Sequence, residues 1–158
     1  MRRIDCHVHL VGDGTSGSGC WLRTPNLFRV VAARLLVKAA GLSASTLGRN
    51  LDEAYPERLL SLIRESSIDA VVLLAMDLPY DEEGNPLQEK SNFYVPNEHV
   101  LKLASTHAEF IPACSIHPGR PDALEELEKC IAGGAKVMKL LPNCHNANCS
   151  DPVYRPFW

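Results

Sequence analysis

The sequence lacks the features that mark several specialised classes of protein. No apolar stretch reaches the roughly 20 uncharged residues of a membrane-spanning helix, because three basic residues interrupt the longest one, 27–42. The first three residues are not followed by the apolar segment of a signal peptide, so we expect a cytoplasmic protein. None of the six cysteines forms a CxxC pair, which predicts free thiols rather than disulfides.

The sequence also has no excess of positive charge. It holds 16 basic and 19 acidic residues, for a formal net charge of -3. We therefore predict neither a nucleic-acid partner nor attraction to a membrane surface. Walker and GxSxG motifs are absent, which leaves P-loop nucleotide-binding and serine-hydrolase functions without support. The partners we expect are a small-molecule substrate, such as a carboxylic acid, ester or amide, and a second copy in a homo-oligomer.

Four short apolar segments alternate with helical patterns. The segments with the length and composition of strands are 3–11, 69–76, 110–116 and 135–141. Helical periodicity and capping residues mark 26–40, 56–66, 96–107 and 121–132. This order predicts an α/β fold with one parallel sheet and right-handed crossovers. A Gly/Ser loop, 12–19, follows the first strand and is predicted to be flexible.

The sharpest chemical feature is Asp5-Cys6-His7-Val8-His9 in the first strand. Alternate residues of a strand point to one face, so Asp5, His7 and His9 are predicted to project together. Two imidazoles on a rigid strand suit a divalent metal, above all Zn²⁺, which keeps an open position in catalytic sites. A chance HxH pair is the alternative in a chain with six histidines. The place of the pair, at the carboxyl end of a strand before a Gly-rich loop, favours the metal site.

Three motifs follow one another along the chain. They are DCHVHL in the first strand, SIHP at the end of the third, and GGAKVMKLLPN across the fourth. This succession resembles the amidohydrolase superfamily, and within it the amidohydrolase-2 (amidohydrolase-related) branch. The resemblance extends over essentially the whole chain. It implies a metal-dependent hydrolase on a (β/α)8 barrel, in which a metal-activated water attacks a carbonyl-like carbon.

The same resemblance implies an incomplete site. His7 and His9 match the first-strand metal ligands, whereas the ligands of strands five and six and the proton-transferring Asp of strand eight would lie beyond residue 158. A complete barrel usually needs roughly 250 residues. We therefore expect residues 1–158 to form one partial domain, the N-terminal half of a barrel. Alone, this half is expected to bind metal weakly and to turn over little substrate.

Four further residues are predicted to contact substrate or to support the metal ligands. They are Asp5, His117, Lys139 and Asn143. A lysine inside an apolar strand is unfavourable unless it is paired, which favours a site or ion-pair role for Lys139. In some related branches the corresponding lysine is carboxylated and bridges two metals. His145, which begins the loop after the fourth strand together with Asn143, is predicted to line the pocket as Asn143 does, and Asp77, which ends the second strand, is a weaker candidate.

Two alternatives to a hydrolase stay open at this point. One is a metal-dependent decarboxylase of the same branch, whose metal orients an aromatic or unsaturated acid that loses carbon dioxide. The other is a non-catalytic half-barrel, since four strands leave unpaired edges and an exposed apolar face. Both enzyme hypotheses require metal at His7 and His9, so only tests with substrates separate them.

Overall fold

Four parallel strands form the centre of the structure, a computed structural model that describes all residues, 1–158. The strands, in chain order, are β1 (Ile4–His9), β2 (Trp21–Leu22), β3 (Ala70–Leu74), β4 (Phe93–Tyr94), β5 (Phe110–Ser115) and β6 (Val137–Lys139). The parallel sheet has the order β1-β3-β5-β6, while β2 and β4 form a separate antiparallel ribbon. The sheet curls into half of a barrel with helices on its outer face. The α/β class and the four predicted strands are therefore confirmed.

Helices connect the strands of the sheet. They are α1 (Leu27–Ala39), α2 (Leu51–Glu65), α3 (Asn97–Thr106), α4 (Ala123–Ala132) and a single short turn, α5 (Pro142–His145). α1 begins where the Asn26 side chain accepts a hydrogen bond from the Arg29 N–H. α4 ends at Gly133, as its sequence predicted. None of the helices is long and apolar enough to cross a membrane.

α2 starts five residues earlier than the predicted 56–66. Pro56 therefore lies inside the helix rather than at its start, and Asp52 occupies the first turn. The carboxylate of Asp52 accepts hydrogen bonds from three backbone N–H groups of the loop segment 13–16. The loop that was predicted to be flexible is thus tied to the first turn of α2, and the prediction of a later start was wrong because this tertiary contact extends the helix.

α3 differs from the prediction at its first residue. The helix begins at Asn97 rather than at residue 96 of the predicted range 96–107, so Pro96 takes the capping position, and the Asn97 side chain is buried. Its Oδ1 accepts the Ser115 N–H at 2.8 Å, and its Nδ2 donates to the Ser115 carbonyl at 3.2 Å. Asn97 thus fixes α3 against the last residue of β5, at the carboxyl ends of the strands, where the predicted site lies.

The two faces of the curled sheet have different surroundings. Val71 of β3 lies in the main core with Leu60 of α2 and Val100 of α3, so this convex face is covered by helices. Val72 and Leu74 belong to a smaller cluster made only of strand residues, on the opposite, concave face. The concave face is where the interior of a complete barrel would be.

Candidate functional site

The carboxyl ends of the strands bring side chains from both edges of the sheet together. His9 of β1 is in register with Leu74, which belongs to the concave face. Lys139 of β6 is in register with Ser115, which lies two residues after Ala113 of the same concave cluster. Both side chains therefore point to the concave face, at the end of the sheet where α/β proteins bind ligands.

The imidazoles of His7 and His9 meet in a hydrogen bond between their Nε2 atoms, in which one ring donates and the other accepts. Their Nε2 atoms are 3.0 Å apart, and the ring planes meet at 63°. His7 is exposed, whereas His9 is partly buried with Phe93 against its ring at a centroid distance of 6.3 Å. Burial, followed by the nearby charges of Lys139 and His7, lowers the pKa of His9. The neutral form of His9, which is the form that binds metal, is therefore favoured.

The predicted alignment of Asp5 with the two histidines is not present. β1 has a bulge between Asp5 and Val8, so that Asp5 is in register with Val71 of the convex core while His9 faces the concave side. An extra residue in one strand shifts the alternation of the side chains that follow it. The Asp5 carboxylate accepts the backbone N–H of His7 at 3.0 Å. Asp5 thus braces the backbone at the bulge rather than an imidazole.

Lys139 extends from β6 across β5 to the end of β3. Its Nζ donates to the Ala75 carbonyl at 3.0 Å and lies 3.3 Å from Met76 Sδ. Only 8% of Lys139 is exposed. No carboxylate lies within 4.0 Å of the ammonium. Burial lowers the pKa of Lys139 to about 8. A buried ammonium without an anion is rare in a structural position and more common where a ligand binds.

His117 lies in a buried network that joins the loops after β3 and β5. The Asp77 carboxylate accepts the His117 backbone N–H at 2.8 Å and pairs with Arg120 at 3.2 Å. His117 is 1% exposed; its Nδ1 accepts the Gly119 N–H, and its Nε2 has no hydrogen-bond partner. Burial raises the pKa of Asp77 in spite of these partners. Sequence reasoning missed Arg120, for which the only signal was its place in the turn directly after SIHP.

His145 rather than Asn143 enters the buried cluster from the segment after β6. Asn143 is exposed on α5, whereas His145 is fully buried, with its ring centroid 6.2 Å from that of His117. Burial, followed by the charges of His117 and Lys139, lowers the pKa of His145 to about 4. Its Nδ1 accepts the Leu141 N–H, and its Nε2 has no partner with hydrogen-bond geometry. His145 is therefore a neutral ring at physiological pH.

The histidine pair fits a divalent metal, but the chain offers no third ligand beside it. Zinc–nitrogen distances of about 2.0–2.1 Å allow one ion to reach two nitrogens that lie 3.0 Å apart. No group of three or more His, Cys, Asp or Glu side chains is clustered as a metal ion would need. The pair alone offers two nitrogens, whereas a zinc site in a protein needs at least three protein ligands.

Two cavities differ in their relation to the histidine pair. The larger, about 460 Å³, is a polar groove between α2 and α3, and none of the predicted site residues lines it. A cleft of about 320 Å³ lies beside α1 and is lined by nine apolar residues, among them Tyr55 and Phe93. Phe93 packs against the His9 ring, and the Tyr55 hydroxyl donates to the His9 carbonyl at 3.2 Å. Of these two cavities, the apolar cleft is therefore the one next to the candidate site.

Comparisons with known proteins add no relative. A scan against models of protein families, a search of curated proteins and a search of solved structures each found no match. The resemblance to the amidohydrolase superfamily stays a prediction from the motifs. The half-barrel and the geometry at the carboxyl ends of its strands are the observations on which a function has to rest.

Proposed function

We propose that the chain carries the metal-binding half of a metal-dependent hydrolase of the amidohydrolase type, on half of a (β/α)8 barrel. The observation that carries the proposal is the 3.0 Å approach of the His7 and His9 Nε2 atoms at the carboxyl end of β1. Active sites of parallel barrels form at this end of the strands. Zinc binds imidazole nitrogens well and keeps one open coordination position in catalytic sites.

The chain's own residues orient the ligands and shape the charge of the site. His7 and His9 would hold the metal through Nε2, and a bound zinc ion would supply a water of lowered pKa and polarise a substrate carbonyl. The Tyr55 hydroxyl bonds the His9 carbonyl and Phe93 packs on its ring, which fixes the direction of that imidazole. The ammonium of Lys139 is close enough to His9 to lower its pKa, and it favours negative charge developing on a substrate oxygen.

A metal-dependent decarboxylase is the second candidate, and Lys139 is the observation that favours it. Its buried ammonium contacts a backbone carbonyl and a thioether but no carboxylate. A substrate carboxylate would supply the missing anion. The two reactions to compare in the zinc-loaded protein are hydrolysis of an ester, lactone or amide and release of carbon dioxide from an aromatic acid. If the protein converts only the aromatic acid, the proposed function becomes that of a decarboxylase instead of a hydrolase.

Zinc binding tests the ligand assignment directly. Titration calorimetry is expected to show one zinc site, and His7→Ala or His9→Ala is expected to raise its Kd at least about tenfold, because each removes one of two imidazoles. The control is His107→Ala, which removes a histidine whose ring packs on Phe110 at the opposite end of the strands. If a variant that lacks both His7 and His9 binds zinc with wild-type affinity, these histidines are not the zinc ligands.

A further inference from the structure

The net charge of the chain conceals a segment that has no acidic residue. Between Asp13 and Asp52 the sequence contains five basic residues and no Asp or Glu. The basic residues are Arg23, Arg29, Arg34, Lys38 and Arg49. None of them takes part in an ion pair. Uncompensated positive charge is therefore concentrated in the segment that contains α1.

α1 also turns an apolar face to the solvent. Its exposed apolar residues are Leu27, Phe28, Val31, Leu35 and Leu36, with exposed fractions of 78%, 79%, 45%, 63% and 71%. Only Ala33 and Val37 of this helix are buried. By helical periodicity, Phe28, Val31 and Leu35 lie on the side opposite to that buried pair. A contiguous exposed apolar surface of this kind marks a place where a partner or a lipid phase docks.

The charges of α1 flank this apolar face on both sides. At about 3.6 residues per turn, Arg34 and Lys38 lie along one side of the face and Arg29 along the other. All three side chains are exposed. Apolar residues between basic flanks are typical of helices that lie in a membrane interface, where the cations meet the headgroups. Packing this face on a second copy would bring like charges together, so the charge pattern favours anionic lipid over a dimer through α1.

We propose that α1 is an interfacial helix that docks the protein on a surface of anionic phospholipid. The helix has 13 residues, so it lies along the surface and does not span the bilayer. Its inner side borders the apolar cleft of about 320 Å³ that includes Phe93. Docking through the outer face leaves this cleft on the other side of α1, about one helix diameter of 10–12 Å from the lipid. The proposal does not depend on the metal site.

Sedimentation with vesicles tests the docking. The intact chain, in about 0.15 M NaCl, is expected to sediment with vesicles of phosphatidylserine and phosphatidylcholine at least about tenfold more than with phosphatidylcholine alone. Raising the salt to about 1 M should reduce binding to the anionic vesicles, because the basic flanks are then screened. No binding to anionic vesicles, or equal binding to neutral ones, overturns the proposal.

Paired variants locate the surface. Phe28→Ser with Leu35→Ser removes apolar contacts, and Arg34→Gln with Lys38→Gln removes charge; each pair is expected to lower binding at least about fivefold. The matched control changes two exposed apolar residues of the acid-rich α4. It is Leu124→Ser with Ile131→Ser, at positions 48% and 62% exposed, and it should bind as the wild type does.

The variants should fold normally because all the replaced side chains are exposed, and thermal unfolding at the wild-type temperature checks this. Vesicle binding by the α1 variants at the wild-type level overturns the proposal. So does equal loss of binding in the α4 control, which would indicate non-specific adhesion. Light scattering tests the remaining possibility, that the face binds a second copy of the chain. A wild type that is a dimer and does not bind vesicles, and a Phe28→Ser with Leu35→Ser variant that is a monomer, would overturn the proposal and assign the face to a second copy.

Discussion

Three polar side chains are buried at the carboxyl ends of the strands in a way that lowers the stability of the folded protein. Lys139 buries an ammonium without a carboxylate, and His117 and His145 each bury an Nε2 atom that has no hydrogen-bond partner. Buried polar atoms normally find partners because each missing hydrogen bond costs about 1–3 kcal/mol. The two unpartnered imidazole nitrogens, and an ammonium that bonds a carbonyl but has no anion beside it, lie together at the carboxyl ends of the strands, where a bound ligand would supply the missing partners.

Replacing Lys139 with Met should stabilise the protein. Met is similar in length and removes a charged group whose pKa burial lowers to about 8. We expect the free energy of unfolding at neutral pH to rise by about 1–3 kcal/mol in a urea titration. Lys136→Met, at an exposed position next to β6, is the control and should change it by less than about 0.5 kcal/mol. A destabilised Lys139→Met would show that the contacts of the ammonium outweigh the penalty of burying it.

His145 should make the protein sensitive to acid. Because its pKa is about 4 in the folded state instead of 6.5, the unfolded chain takes up a proton that the folded chain resists. Its effect should be absent above pH 6.5 and should lower the stability by roughly 2 kcal/mol at pH 5. His117 and Lys139 face the ring and act in the same direction. Urea unfolding at pH 7 and pH 5 checks this: His145→Gln should lose less stability than the wild type, and equal losses would contradict the assignment.

The rule that alternate residues of a strand share one face was sufficient to predict that His7 and His9 lie together, since it depends only on their spacing in the sequence. It failed for Asp5 because a bulge leaves no trace in the hydrophobic pattern. The sequence also did not show which of Asn143 and His145 turns into the protein, because both follow the last strand. Which residue of the short α5 turns inward is decided by packing against the His117 ring, a contact between segments that sequence spacing does not encode.

At the scale of elements, one carboxylate organises the loop after β1. Asp52 is 2% exposed and accepts hydrogen bonds from backbone N–H groups of the loop and from the Ser16 and Ser18 hydroxyls. Gly12 allows this close approach, since a Cβ there would lie 2.4 Å from Asp52 Oδ1 and 2.8 Å from Cys20 Cβ. The Gly/Ser composition predicted a flexible loop. The sequence near the loop does not show the acceptor that orders it, because Asp52 lies more than 30 residues further along the chain.

Removing this carboxylate should release the loop. Asp52→Ala leaves several backbone and hydroxyl donors without their acceptor, so we expect the free energy of unfolding to fall by about 2–4 kcal/mol. Hydrogen exchange of the amides of 13–16 should accelerate in the same variant. Glu53→Ala is the control, because it removes an exposed acid from the same helical turn and should cost about 0.5 kcal/mol. Unchanged exchange in Asp52→Ala would mean that the loop is ordered by other contacts.

At the scale of the whole molecule, the sheet has two open edges. β1 and β6 each pair on one side only, and Ile4 and Val137 on these strands are both 40% exposed. This architecture follows from four apolar segments joined by helical connections, which is why it could be predicted from the sequence. The β2–β4 ribbon could not, because strands of two residues are too short to show a period.

Pairing through these edges should respond to a charge placed on one of them. The wild type is expected to self-associate with rising concentration in light scattering, because an exposed strand edge with apolar side chains is a template for another chain. Ile4→Lys puts a cation on β1, a common means of discouraging edge pairing, and should weaken association at least about threefold. Leu124→Lys on α4, 48% exposed, controls for the added charge.

A wild type that stays monomeric while it melts cooperatively would show that the open edges are stable by themselves. Equal weakening by Ile4→Lys and Leu124→Lys would assign the effect to net charge rather than to β1. If only Ile4→Lys weakens association, the partner adds to the sheet at β1, the strand that carries His7 and His9. A partner at that edge continues the curl of the sheet around the concave face, and so brings further side chains towards a pair of imidazoles that lacks a third ligand.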